Sequence, residues 1–257
     1  MDTKSTDGKP GGKQTKTYEI FGPAYEKVTI EDSKLQGAVY FLVAGHGGPD
    51  PGAVVKYQGH QLCEDEYAYD VTIRLARELI SHGALVYMIT RDKNDGIRDQ
   101  QFLGNDHDET CYPKEKIPIN QNKRLIQRKN AVNRLSLKHK GQYQRMLEIH
   151  LDSRPIKQKV DLFFYYDSRS KKSQRFANTL MNTVERNYNK HQPGRGYKGS
   201  VTTRNLFMVR ATVPVSAFLE LGNISNTNDQ QRFIKSANRQ ILAEWLCEGM
   251  IKDFTGR

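Results

Sequence analysis

The sequence predicts an α/β fold, an open, mostly parallel, twisted sheet of about six strands with helices on both faces. From Gly37 onward, short apolar runs alternate with amphipathic stretches, which is the pattern of βαβ units. Hydrophobic residues make up 37% of the 257-residue chain and are spread evenly after about residue 36, which favours one shared core. We therefore expect a single domain over residues 37–257, preceded by an arm over 1–36 that is partly disordered.

Apolar runs of strand length predict six strands, near residues 37–44, 84–90, 144–150, 160–166, 205–209 and 214–220. Residues 65–82 are predicted to be a helix, because apolar side chains recur every four positions from Tyr67 to Leu79. His82-Gly83 offers this helix a C-terminal stop. The same periodicity predicts helices near 120–139, 171–190 and 228–253, the last with a break near Ser236.

Two segments lie outside this regular alternation. The arm contains TYEIF and KVTI, either of which could add an edge strand. Residues 93–119 form an insertion of mixed charge that is too long for a routine connection in an α/β unit. Two interpretations of the insertion are open: a lid or substrate-contacting loop, and plain surface decoration.

The charge balance bears on the class of partner. Forty Lys and Arg against 29 Asp and Glu give a net charge of +11, which raises affinity for polyanions. The anionic cell wall and nucleic acid are both candidates, and a basic surface with no specific partner is the plain alternative. Nucleic acid is the weaker candidate, because the basic residues are dispersed and show no RNA- or DNA-reading motif. We therefore expect no nucleic-acid partner.

The sequence also argues against a membrane span and a disulfide framework. The longest apolar run, 37–44, is far shorter than the roughly 20 residues that cross a bilayer. Residues 1–17 contain no apolar h-region, so we expect no secretory signal in the sequence as given. Cys63, Cys111 and Cys247 are too few and too scattered for a disulfide framework or a CxxC metal site.

Three predicted strands end in a side chain that can bind a metal or move a proton. The first strand runs into a glycine-flanked His46, a later strand delivers His150, and the last delivers Glu220 within an apolar run. In open α/β sheets, ligands gather at the carboxyl ends of strands. Each residue also has a plain interpretation: His46 as a turn residue, His150 as a core histidine, and Glu220 as half of a structural ion pair.

A fourth group comes from the predicted start of the helix 65–82, where Glu64 and Glu66 are the candidates. Acidic side chains are common at helix N-termini because they complement the helix dipole, so each also has a structural explanation. Two His and one Glu form the three-ligand zinc site that leaves a fourth position for water. A further Glu beside that water would act as general base. The sequence has no HExxH, so such a site has to be assembled from distant segments.

Five sequence blocks stand out between about residues 37 and 254. They are GHGGPDPGAV (45–54), RLARELISHGALVYMITRD (74–92), RKNAVN (128–133), EIHLDS (148–153) and FLELGNISN (218–226). These blocks, in this order, resemble those of the zinc-dependent N-acetylmuramoyl-L-alanine amidases of the amidase-3 type. LCEDEYAYDV and the long insertion look similar to a Bacteroidetes-type branch of that family.

The resemblance implies that His46, Glu64 and His150 bind Zn²⁺ and that Glu220 is the catalytic carboxylate. It also selects Glu64 over Glu66. The implied reaction is hydrolysis of the amide between the lactyl group of N-acetylmuramic acid and L-alanine in peptidoglycan. The implied partner is therefore peptidoglycan or its muropeptides, in the periplasm or cell envelope. An activator protein is a further candidate partner.

Several positions depart from the family pattern. Val43-Ala44 replace Asp-Pro before GHGG, Leu151-Asp152 replace Ala-Asn after His150, and Asn223 replaces an aromatic residue. All of them spare the four proposed site positions. Two alternatives to the amidase reaction stay open: a zinc peptidase that cuts stem-peptide bonds, and an inactive wall-binding module.

Overall fold

A six-stranded sheet lies at the centre of the computed structural model, which describes residues 4–5, 13–153 and 160–256. The strands in chain order are β1 (Lys4–Ser5), β2 (Thr15–Thr17), β3 (Lys27–Thr29), β4 (Ala38–Ala44), β5 (Val54–Tyr57), β6 (His60–Cys63), β7 (Leu85–Met88), β8 (Thr90–Arg91), β9 (Thr110–Cys111), β10 (Glu115–Lys116), β11 (Tyr143–Asp152), β12 (Phe163–Tyr166), β13 (Ser200–Thr203) and β14 (Val215–Asn223). The helices are α1 (Glu64–Ser81), α2 (Gln121–Lys138), α3 (Lys171–His191), α4 (Phe207–Ala211), α5 (Thr227–Ile234) and α6 (Ser236–Thr255).

The sheet has the strand order β13-β12-β14-β11-β4-β7. All neighbouring strands in it are parallel except β12 and β14, which are antiparallel. Parallel strands need covered faces, and the seven residues of β4 are all buried, as their unbroken apolar sequence predicts. The α/β class and the mostly parallel six-stranded sheet are confirmed.

Helices cover both faces of the sheet. Tyr40 and Leu42 of β4 belong to the larger core cluster, together with apolar residues of α1, α3 and α6. Phe41 and Val43 belong to a smaller cluster with residues of α2 and α4. This alternation follows from the period of two along a strand. No described helix is long and apolar enough to cross a membrane.

Helix α1 is enclosed on nearly every side, with 16 of its 18 residues buried. Its Asp70 is fully buried and accepts hydrogen bonds from the guanidinium groups of Arg74 and Arg239. Arg239 also donates to the carbonyl oxygens of Arg98 and Gln100, at 2.8 and 2.9 Å. A buried charge is tolerated only when it is paired and hydrogen-bonded, and this network meets that condition. It joins the beginning of the insertion to α1 and α6.

The N-terminal arm packs onto the same core. Strands β1, β2 and β3 form a small antiparallel sheet of their own, so the two arm segments do not extend the edge of the main sheet. Phe21, Val28 and Leu35 are fully buried in the larger cluster. Partial disorder of the arm stays a prediction, since residues 1–3 and 6–12 of it lie outside the described residues.

One predicted strand is wrong. The run near 205–209 forms the start of α4, whose Met208 and Val209 are buried, because a short apolar run fits a buried helix as well as a strand. The edge position of the sheet is taken instead by β13, whose sequence SVTT has no apolar run. The predicted break in the last helix is confirmed: Lys235, with extended backbone angles, separates α5 from α6.

Candidate metal centre

Three of the predicted site residues meet at the carboxyl edge of the central sheet. His46 follows β4 in the glycine-rich turn, His150 lies near the end of the adjacent β11, and Glu64 is the first residue of α1. One donor atom from each of the three lies within 4.8 Å of the other two. The fold therefore brings together residues that are up to about a hundred positions apart in the sequence.

The Glu64 carboxylate stands between the two imidazoles. Its Oε1 atom is 2.8 Å from Nδ1 of His150 and 3.2 Å from Nε2 of His46. The two rings are nearly perpendicular, at 80°, with centroids 4.9 Å apart. Two nitrogen donors and one carboxylate oxygen suit zinc, which takes three protein ligands when one position is left open. The residues present therefore fit a catalytic zinc ion.

Backbone hydrogen bonds fix the position of Glu64. The amide of Leu151 donates to Oε1 at 3.1 Å, and the amide of Ala53 donates to Oε2 at 3.0 Å. Burial alone would raise the pKa of this carboxyl, but the hydrogen bonds with His150 and His46 outweigh it and hold the pKa well below its usual range. Glu64 is thus an ionised, oriented ligand candidate.

Two glycines leave the room that the imidazoles occupy. A Cβ atom on Gly45 would lie 2.3 Å from Cε1 of the His150 ring. Gly52 has φ +68°, and a Cβ there would lie 2.7 Å from Oε2 of Glu64 and from Cδ2 of His46. Any side chain at either position would enter the ligand cluster, so this packing requires glycine.

His46 is held in a left-handed backbone conformation, with φ +61°. Its Nδ1 atom is 3.0 Å from Oδ2 of Asp50, and that carboxylate is also paired with Arg124 of α2. The neighbouring Arg128 donates to the carbonyl oxygen of His46. A carboxylate on Nδ1 fixes the tautomer that leaves Nε2 free to face Glu64. This conformation costs free energy in a non-glycine residue, and these contacts hold it in place.

His150 is supported by two other buried side chains. Its ring stacks on Phe218 at a centroid distance of 4.5 Å, and its Nε2 atom is 3.6 Å from Oε1 of Glu148. Burial by itself lowers the pKa of this imidazole, but the nearby carboxylates of Glu148 and Glu64 outweigh it and raise the pKa to about 10. The same balance, with Asp50 and Glu64 as acceptors, raises the pKa of His46. The neighbouring carboxylates therefore favour the protonated form of both imidazoles.

Glu220 is the fourth predicted site residue and lies on β14, where it is the register partner of His150 on β11. Its side chain is buried, with 7% of the residue exposed, and Oε2 has no hydrogen-bond partner among the described residues. Burial raises the pKa of this carboxyl to about 7, even though the adjacent His150 opposes the shift. A carboxyl with a pKa near neutrality can both take up and release a proton at the working pH.

Glu66 lies outside this cluster. It pairs with Arg98 at 2.8 Å and accepts the amide of Asp106, so it faces the insertion and not the two imidazoles. Of the two acidic candidates at the start of α1, Glu64 is the one beside His46 and His150.

The supporting residues Asp50, Arg124, Arg128 and Glu148 were not assigned any role from the sequence. Three of them lie within or beside recognisable signals: Asp50 in GHGGPDPGAV, Arg128 in RKNAVN, and Glu148 two residues before His150. Two residues apart on a strand means the same face, so Glu148 could have been predicted near His150. The pairing of Arg124 with Asp50 spans 74 positions and has no local signal.

The insertion directly contacts the glycine-rich turn that carries His46. Strands β8, β9 and β10 form a small antiparallel sheet at its two ends. Oε2 of Glu109 accepts the amide of Gly48 at 2.6 Å, and Nδ1 of His107 is 2.9 Å from the carbonyl oxygen of the same glycine. The insertion therefore supports the turn that carries His46, which plain surface decoration would not do.

Comparison with known proteins places the chain among cell-wall amidases. The model of the family described as N-acetylmuramoyl-L-alanine amidase, amidase-3, matches residues 41–252. The germination-specific N-acetylmuramoyl-L-alanine amidase of Bacillus subtilis is 23% identical over 223 residues, which cover 86% of this chain and 81% of that protein.

Solved structures share the fold. The CwlD amidase from Clostridioides difficile, in complex with the GerS lipoprotein, has a TM-score of 0.65 and 19% identity, and the match covers 85% of this chain and 99% of that one. The amidase AmiC2 of Nostoc punctiforme has a TM-score of 0.60 and 17% identity, with 87% and 99% covered. At these identities the likeness concerns the arrangement of strands and helices.

Proposed function

The chain belongs to the N-acetylmuramoyl-L-alanine amidase family, and from this premise we propose that His46, Glu64 and His150 hold one zinc ion at which Glu220 acts as general acid and base. It is a peptidoglycan amidase, which hydrolyses the amide between N-acetylmuramic acid and L-alanine. One observation carries the proposal. Two imidazole nitrogens converge on one Glu64 oxygen, next to a buried Glu220 carboxyl oxygen that has no partner among the described residues.

Each protein group has a distinct task in this mechanism. Zinc, when bound, supplies a Lewis acid for the scissile carbonyl and for the attacking water. Asp50, on Nδ1 of His46, and Glu148, on the Nε2 side of His150, would keep the two imidazoles in the orientation that presents their other nitrogens to the ion. Glu220 takes a proton from the attacking water and then gives it to the departing amine of L-alanine. No covalent intermediate with the protein is needed, because the proton transfers and the ion's charge are sufficient.

The setting of the reaction is part of the same proposal. We place the protein in the periplasm or cell envelope, where its substrate is found, and assign residues 37–257 to the catalytic domain with 1–36 as an arm. An activator protein is a proposed partner, supported by the CwlD amidase that was solved with the GerS lipoprotein. The similar proteins named above come from Bacillus, Clostridioides and Nostoc, so the Bacteroidetes branch stays a prediction.

Metal analysis of the purified chain, together with mass spectrometry of digested muropeptides, tests the proposal. We expect one zinc per chain, intact stem peptides in the products, and loss of the metal in His46→Ala and His150→Ala. His60→Ala, which removes an exposed histidine outside the cluster, is the matched control and should keep both metal and activity. Shortened peptides still attached to sugar would favour a stem-peptide peptidase. Binding to insoluble wall with neither zinc nor products would favour a wall-binding module.

A further inference from the structure

A second cluster of carboxylates lies beside the metal centre and is separate from it. Asp65 and Glu66 belong to the first turn of α1, and Glu109 belongs to the insertion. One oxygen of each lies within 4.8 Å of the other two. All three residues are deeply buried, with 1%, 2% and 5% of their surfaces exposed. Three carboxylates in so small a buried volume repel one another unless positive charge is supplied.

The protein supplies little of that charge. Arg98 pairs with Glu66 at 2.8 Å, but the same guanidinium is shared with Asp95. In residues 4–5, 13–153 and 160–256, neither Asp65 nor Glu109 takes part in a salt bridge. Within the described residues, two of the three buried carboxylates therefore have no cationic side chain paired with them.

Asp65 carries the most direct sign of a missing ligand. Its Oδ1 atom accepts the amide of Glu66 at 2.9 Å, whereas its Oδ2 atom is buried and has no hydrogen-bond partner within the described part of the chain. A buried carboxylate oxygen without a hydrogen-bond partner destabilises the fold, because its interaction with water is lost and not replaced. A group placed among Asp65, Glu66 and Glu109 would remove that cost.

The donor atoms indicate which kind of ligand would fit among the three carboxylates. All three are carboxylate oxygens, in contrast to the two imidazole nitrogens of the neighbouring centre. Oxygen-only sites select hard divalent cations, and nitrogen donors favour zinc. Calcium accepts several carboxylates in flexible geometry, whereas magnesium keeps most of its waters and demands octahedral positions.

We propose that Asp65, Glu66 and Glu109 bind a calcium ion at a second metal site, distinct from the site formed by His46, Glu64 and His150. The ion joins α1 to the insertion at the point where Glu109 also accepts the amide of Gly48, in the glycine-rich turn that carries His46. It would therefore stabilise the first turn of α1, which includes Glu64. The site does not depend on the amidase reaction.

Calorimetric titration of the chelator-treated full chain with calcium chloride at neutral pH tests this site. We expect one calcium per chain, and binding at least ~10-fold weaker in Asp65→Asn and in Glu109→Gln, because ligand charge sets affinity in such sites. Glu115→Gln removes an exposed carboxylate of the same insertion and should leave binding unchanged. His150→Ala should lose zinc and keep calcium. Circular dichroism of each variant separates a lost site from a lost fold.

Three results would overturn the proposal. The first is no calcium binding by the folded wild-type chain, which would mean that protons neutralise the cluster. The second is unchanged calcium affinity in a folded Asp65→Asn or Glu109→Gln variant. The third is loss of calcium binding in Asp95→Asn alone, which would move the ion to the neighbouring group of Asp92, Asp95 and Asp106. Since zinc content and calcium content are measured separately, failure of this site is distinguishable from failure of the amidase proposal.

Discussion

Replacing Glu220 with glutamine should abolish turnover and, in the metal-free chain, stabilise the fold at alkaline pH. The carboxyl is buried and burial raises its pKa from an ordinary value of 4.5 to about 7. A raised folded-state pKa means that the protonated form is favoured by folding. The stability from this group is fully present below about pH 4.5 and is lost as the pH rises through about 7.

The size of the effect follows from the pKa difference. About 2.5 pKa units at about 1.4 kcal/mol each correspond to roughly 3 kcal/mol of lost stability when Glu220 is ionised in the folded chain. A glutamine side chain has nearly the same shape and never ionises, so the variant avoids this loss. Relative to wild type, Glu220→Gln should gain about 3 kcal/mol near pH 9 and only about 1 kcal/mol near pH 5.

Urea denaturation of chelator-treated wild type and Glu220→Gln at these two pH values measures the difference. A gain that is the same at both pH values would refute the assigned ionisation, and a loss of stability near pH 9 would refute the burial cost itself. With zinc restored, the variant should keep its bound metal and lose turnover, because Glu220 is assigned to proton transfer. Loss of stoichiometric zinc from Glu220→Gln would contradict that role.

Two further substitutions test the packing and the hydrogen bonds around the metal centre. Gly45→Ala places a methyl group where the His150 ring lies and should abolish zinc binding, measured by metal analysis. Gly104→Ala is the control, because a Cβ there meets nothing within 4 Å, and this variant should bind zinc normally. Normal zinc content in both variants would show that the turn around Gly45 adapts to a side chain. Asp50→Ala removes the partner of Nδ1 of His46 and should weaken zinc affinity about 10- to 100-fold in a competition titration with a chelator. Asp50→Asn keeps an oxygen acceptor, so its zinc affinity should lie between those of wild type and Asp50→Ala. Equal affinity in Asp50→Ala and wild type would contradict the proposed orienting role.

The long periodic elements were predictable from the sequence, and the short ones were not. Helix 65–82 was predicted within one residue of α1 because its apolar periodicity extends over the whole segment. The edge strand β13 was missed because SVTT is polar and partly exposed, so neither periodicity nor apolar content marks it. The sequence predicts a strand where α4 forms, because the four-residue apolar run Leu206–Val209 carries no decisive period.

The candidate site residues could be predicted from the residue types at strand ends, whereas the contacts that support them could not. His46, His150 and Glu220 follow or end predicted strands, and the sheet topology then places them at one edge. The contact of Asp50 with Arg124, and that of Glu109 with Gly48, joins segments that the sequence offers no reason to pair. Such contacts depend on how α2 and the insertion pack, which is decided by tertiary structure.

The burial of α1 limits how the chain could release the proposed zinc ion. A helix buried on almost all sides cannot fray at its first turn without disrupting the core around Asp70 and Arg239. Amide protons along α1 should therefore exchange with solvent only as fast as the whole molecule opens. The proposed zinc ion would have to leave past ligands that are held in place, so its lifetime would be governed by ligand exchange and not by local opening of the helix.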